Sequence, residues 1–557
     1  MEKERDGNAS EGRRAFLRNV GMLTATGCTA SAVSLGALFN PPAAHAQNEQ
    51  HDRENSRQDR LEQSFRQRRD AALADLEAGL PRHPNNGDER LYPNFIGNFS
   101  KGLPHNSIGE VNRAAYGSLL QALLSGNPAD FEDITLGGNV RLVDPQAGLA
   151  FDMEGLDSHQ FVEIPSPALA SAERAVEAVE LYWQALLRDV TFTDYSTNAA
   201  ALAACAELSA RGAFTGPRQS GQVTPQTLFR GSTAGDVVGP YVSQFLLQPI
   251  NFGALPITQQ FTTYAPGLDY LTDPGSWLAA RNGQGPFASN SKDSELRYLR
   301  NGRDLAAWVH VDALVQAYFH ALLWLLGNGV AFNAGNPYNH SATQAGFGTF
   351  GAPHIIALLS EVSSRALKAQ WFQKWFVHRA LRPEELGGLV HWTKTGAAHY
   401  PLHTDILNSP AVAQVFTRTG TYLLPQAFPE GCPQHPAYGS GHATVAGACV
   451  TVLKAFFSTD NSPFPNPMVS GPDGLSLLPY TGGDASQITL TGELHKLAAN
   501  IAIGRNHAGI HWRSDYVNSV LLGEAVAVSL LRDQRNCYNE LFQGFTFTKF
   551  DGTSLTI

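Results

Sequence analysis

Apolar residues recur at helical spacing in several long stretches of this chain. The clearest case is Ser171 to Arg188, where Val176, Val179, Trp183 and Leu186 fall on one face and predict an amphipathic helix. Asp304 to Leu326 is the most apolar helix predicted after the leader, long enough to raise the question of a membrane span. Asp304, His310, Asp312, Gln316 and His320 lie within it, so the buried centre of a bundle explains it better. Further long helices are predicted from about Ile355 to Leu381, from Ala443 to Phe457 after Ser440, and from near Thr491 past Asp515. The stretch from Gln47 to about Gly79 is polar, with Arg and Gln prominent. It reads as a surface arm that turns helical near Ala71 to Leu80. Residues 91–160 are loop-rich, and 214–293 are Gly/Pro/Thr-rich and read as mostly irregular. The last residues alternate from Phe545 to Thr548, pass Asp551-Gly552 and end at Ile557, the pattern of a tight hairpin. Several long helices with little strand pattern place the chain in the all-α bundle class.

Composition allows a large buried core: 557 residues, 43% hydrophobic and 16% charged. The net charge of -10 and the lack of a basic stripe with interleaved aromatics argue against a nucleic-acid partner. The N-terminus changes the picture. Arg13-Arg14-Ala15-Phe16-Leu17-Arg18 is a twin-arginine box, an apolar Gly/Ala-rich stretch follows, and Ala44-His45-Ala46 is a small-x-small cleavage site. Residues 1–46 are therefore expected to be an export signal and Gln47 the mature N-terminus, with delivery to the periplasm or beyond and no membrane span in the mature chain. The expected organisation continues with a polar arm over 47–90, an N-terminal helical half over 91–330 and a C-terminal helical half over 331–557. Beyond Cys28 in the leader, Cys205, Cys432, Cys449 and Cys537 show no CxxC or metal-ligand spacing. In an oxidising compartment some could pair, while Cys205 and Cys449 sit in apolar helical stretches that suit buried thiols.

Three short stretches carry the candidate chemistry. They are Lys374 with Arg382-Pro383 after seven intervening residues, Ser440-Gly441-His442, and Arg505 with His511 and Asp515. Together they offer what a tetrahedral oxyanion needs. Arginine binds oxyanions bidentately and lysine adds a point charge. Pro383 disfavours helical geometry at Arg382, so the helix carrying Lys374 should end there. Ser440 and Gly441 open a helix, whose first N–H groups and positive dipole end favour an anion. His442 can move a proton near neutral pH. His511 and Asp515, four apart, fall on one helix face, and Asp515 can orient His511 or pair with Arg505 or Arg513. Asp312 is the candidate buried partner of His442, against an unrelated ion pair with His310 or an arginine. Taken singly, each stretch has an ordinary structural explanation. Their order and spacing together do not.

This triple pattern resembles the vanadium-dependent haloperoxidases and, more distantly, the acid phosphatases that share their anion site. The likeness to the algal bromoperoxidase branch extends to Leu181-Tyr182-Trp183-Gln184-Ala185-Leu186, Asn301-Gly302-Arg303-Asp304-Leu305, Phe347-Gly348-Thr349-Phe350-Gly351-Ala352-Pro353-His354 and the run from Gly504 to Asp515, and covers most of the chain from about Leu91 onward. The resemblance implies a pair of four-helix bundles with long loops, the anion site in the later one, and a helical oligomer. It implies a vanadate cradle of Lys374, Arg382, Ser440, Gly441, Arg505 and His511, with a nitrogen of His511 bonded to vanadium. It implies hydrogen peroxide as oxidant and a halide as substrate, giving hypohalous acid that halogenates a small organic acceptor. His442, with His435, would handle the proton, and Lys374 would polarise the oxidant. His435, five residues before Ser440, matches a second active-site histidine of the bromoperoxidases where chloroperoxidases carry an aromatic, which implies bromide and iodide oxidation. Trp371 either lines the pocket or is a plain core aromatic. The rival readings are an acid phosphatase with His511 as nucleophile and His442 as acid, and a secreted phosphate-binding or structural protein, which leaves two poised histidines unexplained. The loops leave room for structural calcium, but none is of EF-hand type.

Overall fold

The computed structural model describes residues 43–557; the twin-arginine box lies outside them. Helices of ten or more residues are α1 (Ala43–Ala78), α2 (Arg113–Ser125), α3 (Ala172–Leu186), α4 (Ala199–Ala210), α5 (Gly302–Val311), α6 (Gln316–Gly327), α7 (Ala352–Phe372), α8 (Pro383–Lys394), α9 (Pro410–Thr419), α10 (Gly441–Phe456), α11 (Leu490–His507) and α12 (Arg513–Arg535). Among the described residues sheet is confined to four antiparallel pairs: β1 (Ile250–Phe252) with β2 (Leu255–Ile257), β3 (Phe261–Tyr264) with β4 (Lys292–Arg297), β5 (Met468–Ser470) with β6 (Leu477–Pro479), and β7 (Thr546–Thr548) with β8 (Ser554–Thr556). The fold is all-α. The terminal hairpin forms as its alternation predicts, pairing Thr546 with Thr556 and burying Phe547.

Two hydrophobic cores dominate. One joins α5, α6, α7, α10, α11 and α12; the other joins α3 and α4 to α8 and α9. Each core takes helices from both sides of residue 330. The first core depends on close crossing of α10 and α12. A Cβ on Gly447 would come within 2.0 Å of the Val520 carbonyl, and one on Gly523 within 1.9 Å of the Thr444 carbonyl. Helix α3 starts where Ser171 Oγ accepts from the Arg174 N–H, a standard N-cap. Its polar face is not solvated as an amphipathic helix predicts. Arg174 pairs with Glu177 at 2.9 Å and Glu180 with Arg513 at 2.5 Å, all buried.

Four predicted elements differ from the structure. The apolar run after Asp304 is two helices, α5 and α6, bent by 98°. Asp312 follows the last turn of α5 in extended backbone (φ -66°, ψ 148°) and so lies beyond the helix expected to carry it. The helix carrying Lys374 does not run on to Arg382. Helix α7 passes into a π turn over Gln373–His378, and Arg379 takes φ 40° and ends it. The helix expected from Thr491 through Asp515 breaks between His507 and Arg513, where Gly509 adopts φ +83°. The arm is helical from its start to Ala78 as α1, not only near Ala71. Residues 214–293, expected to be mostly irregular, also hold the first hairpin and a short helix at Pro274–Arg281. Among the described residues no single helix is long and apolar enough to cross a membrane, and the bent pair α5–α6 is largely buried in the core. Cys205, Cys432 and Cys449 are buried free thiols and Cys537 is an exposed one.

Candidate functional site

Every break in the predicted helices delivers a side chain to one place. In the π turn, Lys374 points inward, fully buried, and its Nζ donates to the carbonyls of Pro436 (2.7 Å) and Ala437 (3.0 Å). Arg382 is extended (φ -86°, ψ 155°), as the following proline requires, and precedes α8. Its Nε donates to the His435 carbonyl at 2.8 Å, its Nη1 to the Ile510 carbonyl at 2.8 Å and to His511 Nε2 at 3.0 Å. Ser440 caps α10, accepting from the Ala443 N–H at 3.3 Å. Arg505 ends α11 with Nη1 on the Val309 carbonyl at 2.5 Å, while its buried Nε has no partner.

The two histidines have assignable tautomers. His511 lies in the break between α11 and α12, not on a helix face. Asp515, in the first turn of α12, accepts from His511 Nδ1 at 2.6 Å and from the Trp512 N–H at 3.2 Å. The proton is therefore on Nδ1, and Nε2 presents its lone pair to Arg382. Asp515 thus orients His511 and pairs with neither Arg505 nor Arg513. His442 Nε2 lies 3.0 Å from Asp312 Oδ1, which leaves Nδ1, without a protein partner, as the acceptor. His310 pairs instead with Glu430. His435 Nδ1 accepts from Arg382 Nη2 at 2.9 Å. The Trp371 ring lies 4.8 Å from the His435 ring and packs over Gly441, where a Cβ would come within 3.0 Å of it.

Electrostatics show what the place favours. Burial, then neighbouring cations, hold Lys374 well below the usual lysine range and Arg505 at about 10. Burial, then Arg382, Lys374 and Arg505, keep His511 neutral. Burial also pushes Asp515 up to about 7. Three buried cations facing one another are costly unless an anion joins them. Arg505 lines a cleft of about 330 Å³ whose walls also include Trp371, His435, Gly441, His442 and His511, while Arg382 reaches it through its contacts with His435 and His511. No cluster of three His, Cys, Asp or Glu among the described residues is arranged to hold a bare metal ion. The donor set fits a metal presented as an oxyanion: several cationic donors, one helix N-terminus and one imidazole lone pair.

Sequence reasoning missed a supporting chain behind Ser440. Ser519 Oγ accepts from the Ser440 N–H at 2.9 Å and donates to buried Glu163 at 2.8 Å. Gln370 Nε2 donates to the same carboxylate at 3.0 Å, and the Thr444 hydroxyl lies 2.6 Å from Gln370 Oε1. Burial pushes Glu163 up to about 7. Ser519, one turn beyond Asp515, was within reach of a helical-face argument; Glu163, in a loop, gave no signal. We expect Asp515→Asn, which weakens the hold on His511 Nδ1, to reduce vanadate affinity roughly ten- to hundredfold, measured by titrating the apo-protein.

Fold and site define a helical protein in which buried cations and two oriented imidazoles form a place suited to a tetrahedral oxyanion. A family model, the VCPO second helical-bundle domain, matches residues 414–540, which contain the second and third motifs. Vanadium-dependent bromoperoxidases from Corallina pilulifera and Corallina officinalis are each 35% identical over 90% of this chain and 99% of their own length. One from Ascophyllum nodosum is 35% identical over 90% of this chain and 94% of its own. The solved homohexameric structure of the second vanadate-dependent bromoperoxidase from Ascophyllum nodosum superposes with a TM-score of 0.84 at 32% identity, covering 96% of this chain and 95% of that one. The chain belongs to the vanadium-dependent bromoperoxidase family.

Proposed function

We infer that the protein is a vanadium-dependent bromoperoxidase that oxidises bromide or iodide with hydrogen peroxide to hypohalous acid, which halogenates small organic acceptors. The single observation that carries this reading is the His511 Nε2 lone pair, fixed by Asp515 and aimed into a buried cluster of Lys374, Arg382 and Arg505. Lys374, Arg382, Ser440, Gly441, Arg505 and His511 would hold vanadate. When bound, vanadate supplies a Lewis-acidic centre that activates peroxide without changing its own oxidation state.

The chain's own residues do the rest. Arg382 and Arg505 neutralise the anion through directed N–H groups, and Lys374 adds a point charge. The N-terminus of α10 contributes the dipole end and the Gly441 N–H. His442 accepts a proton at Nδ1, and Asp312 stabilises the imidazolium through Nε2. His435, with its Nδ1 held by Arg382, and Trp371 form the wall beside the anion and set halide choice. The twin-arginine box and the Ala44-His45-Ala46 site support export to the periplasm or the extracellular space. Exposed Phe151 and Met153, together with the homohexameric neighbour, support a homo-oligomer.

The test is bromination of monochlorodimedone by purified protein with peroxide and bromide, before and after orthovanadate, with phosphate as competitor. We expect activity that requires vanadate and is suppressed by phosphate. Hydrolysis of p-nitrophenyl phosphate without any halogenation after full vanadate loading would instead assign the same cradle to an acid phosphatase.

A further inference from the structure

At the mouth of the cleft sits a second cluster of titratable groups that the reaction described above does not use. His310 and Glu430 line the same cleft as Gly441, His442 and His511. His310 Nε2 lies 2.6 Å from Glu430 Oε1, with the two side chains 24% and 31% exposed, so the pair faces both cleft and solvent. The other ring nitrogen, Nδ1, lies 2.5 Å from the Tyr264 hydroxyl. The ring stacks on Phe428 with centroids 3.6 Å apart and planes 10° from parallel. Three contacts on one imidazole fix it in place. The Glu430 backbone is fixed as well: its carbonyl accepts from Lys101 Nζ at 2.7 Å, and Lys101 pairs with buried Glu384 at 2.7 Å.

We propose that Glu430 and His310 form a charge-bearing pair at the cleft mouth that sets the protein's affinity for the halide. The proposal rests on the bromoperoxidase reading. The halide enters as an anion, whereas hydrogen peroxide is neutral. A carboxylate on the route repels the first and ignores the second. When His310 is protonated the pair is neutral; when His310 is neutral the pair carries one negative charge.

The neighbours leave this charge to the pair. Tyr264, on β3, has its hydroxyl pKa raised by burial, so it stays protonated. Phe428 brings no charge. Asp312, just past α5, is tied to His442, and Lys101 is tied to Glu384. Arg505, from α11, is a fixed cation whose field reaches Glu430. Burial draws the Glu430 carboxyl upward, but the hydrogen bond and charge of His310 leave it below the usual carboxylate range. It therefore stays ionised near neutral pH.

Steady-state kinetics of the vanadate-loaded protein test this across about pH 5 to 8. Glu430→Gln removes the carboxylate. The bromide KM should fall roughly three- to tenfold at both ends of the range. His310→Gln removes the compensating cation. The bromide KM should rise by a similar factor at the acid end. In both variants kcat and the peroxide KM should stay within about twofold of wild type. Opposite shifts confined to the bromide KM support the proposal. A bromide KM unchanged in both variants, or one that moves in step with the peroxide KM, overturns it while leaving the bromoperoxidase reading intact. A wild-type protein that binds vanadate yet never halogenates removes both.

Discussion

His511→Ala is expected to lower vanadate-dependent bromination by roughly a thousandfold or more, the largest effect of any single change in the site. The substitution deletes the one neutral nitrogen that faces the cationic cluster, and Arg382 Nη1 loses its 3.0 Å partner there. It also leaves Asp515 buried with only the Trp512 N–H to accept, at 3.2 Å. An orphaned buried acceptor costs about 1–3 kcal/mol, tolerable for a domain of this size but visible as a lower melting temperature. Two measurements separate binding from turnover: vanadate affinity of the apo-protein by equilibrium titration, and bromination at saturating vanadate. Both should collapse. If bromination at saturating vanadate stayed within tenfold of wild type, the nitrogen that holds the cofactor would have to come from elsewhere.

His442→Ala should have a different signature. We expect kcat to fall roughly 10²- to 10⁴-fold, the usual range for loss of a positioned general acid–base, with vanadate affinity reduced far less. The reason is geometric. His442 stands on the first turn of α10 with Nε2 committed to Asp312 at 3.0 Å, so its free Nδ1 is placed for proton transfer and not for structural bonding. Burial lowers its pKa, while Asp312 pulls it upward and Arg505 downward, which keeps it neutral and able to accept a proton before the anion arrives. A bound anion beside it then favours the imidazolium. The substituted protein should therefore also lose the limb of the pH–kcat profile that reports this group. A drop in vanadate affinity as large as the drop in kcat would make His442 part of the cradle instead of the proton acceptor.

Much of this was legible because it depends on local chemistry. Ser440 had to cap a helix and Arg382 had to be extended before Pro383, and both are. The hairpin at Asp551-Gly552 follows from alternation and a turn signal. The boundaries that matter most were not legible. Nothing in the residues between Val311 and Gln316 announces a 98° bend, because no proline or glycine marks it. At the bend Asp312 meets His442, a contact across 130 positions. The π turn at Lys374 likewise has no breaker, and its inward turn is held by the carbonyls of Pro436 and Ala437.

The sequence by itself determined the class of the fold, the residue types of the cradle and their order, because helical periodicity, caps and proline constraints act within a few residues. Only the tertiary structure decided which nitrogen of each histidine carries its proton, that Asp515 serves His511, that Glu163 and Ser519 hold Ser440, and that His310 and Glu430 share the mouth of the cleft. Those are hydrogen bonds and fields between groups far apart along the chain. Their geometry exists only after helices broken at the right residues have packed around a common core.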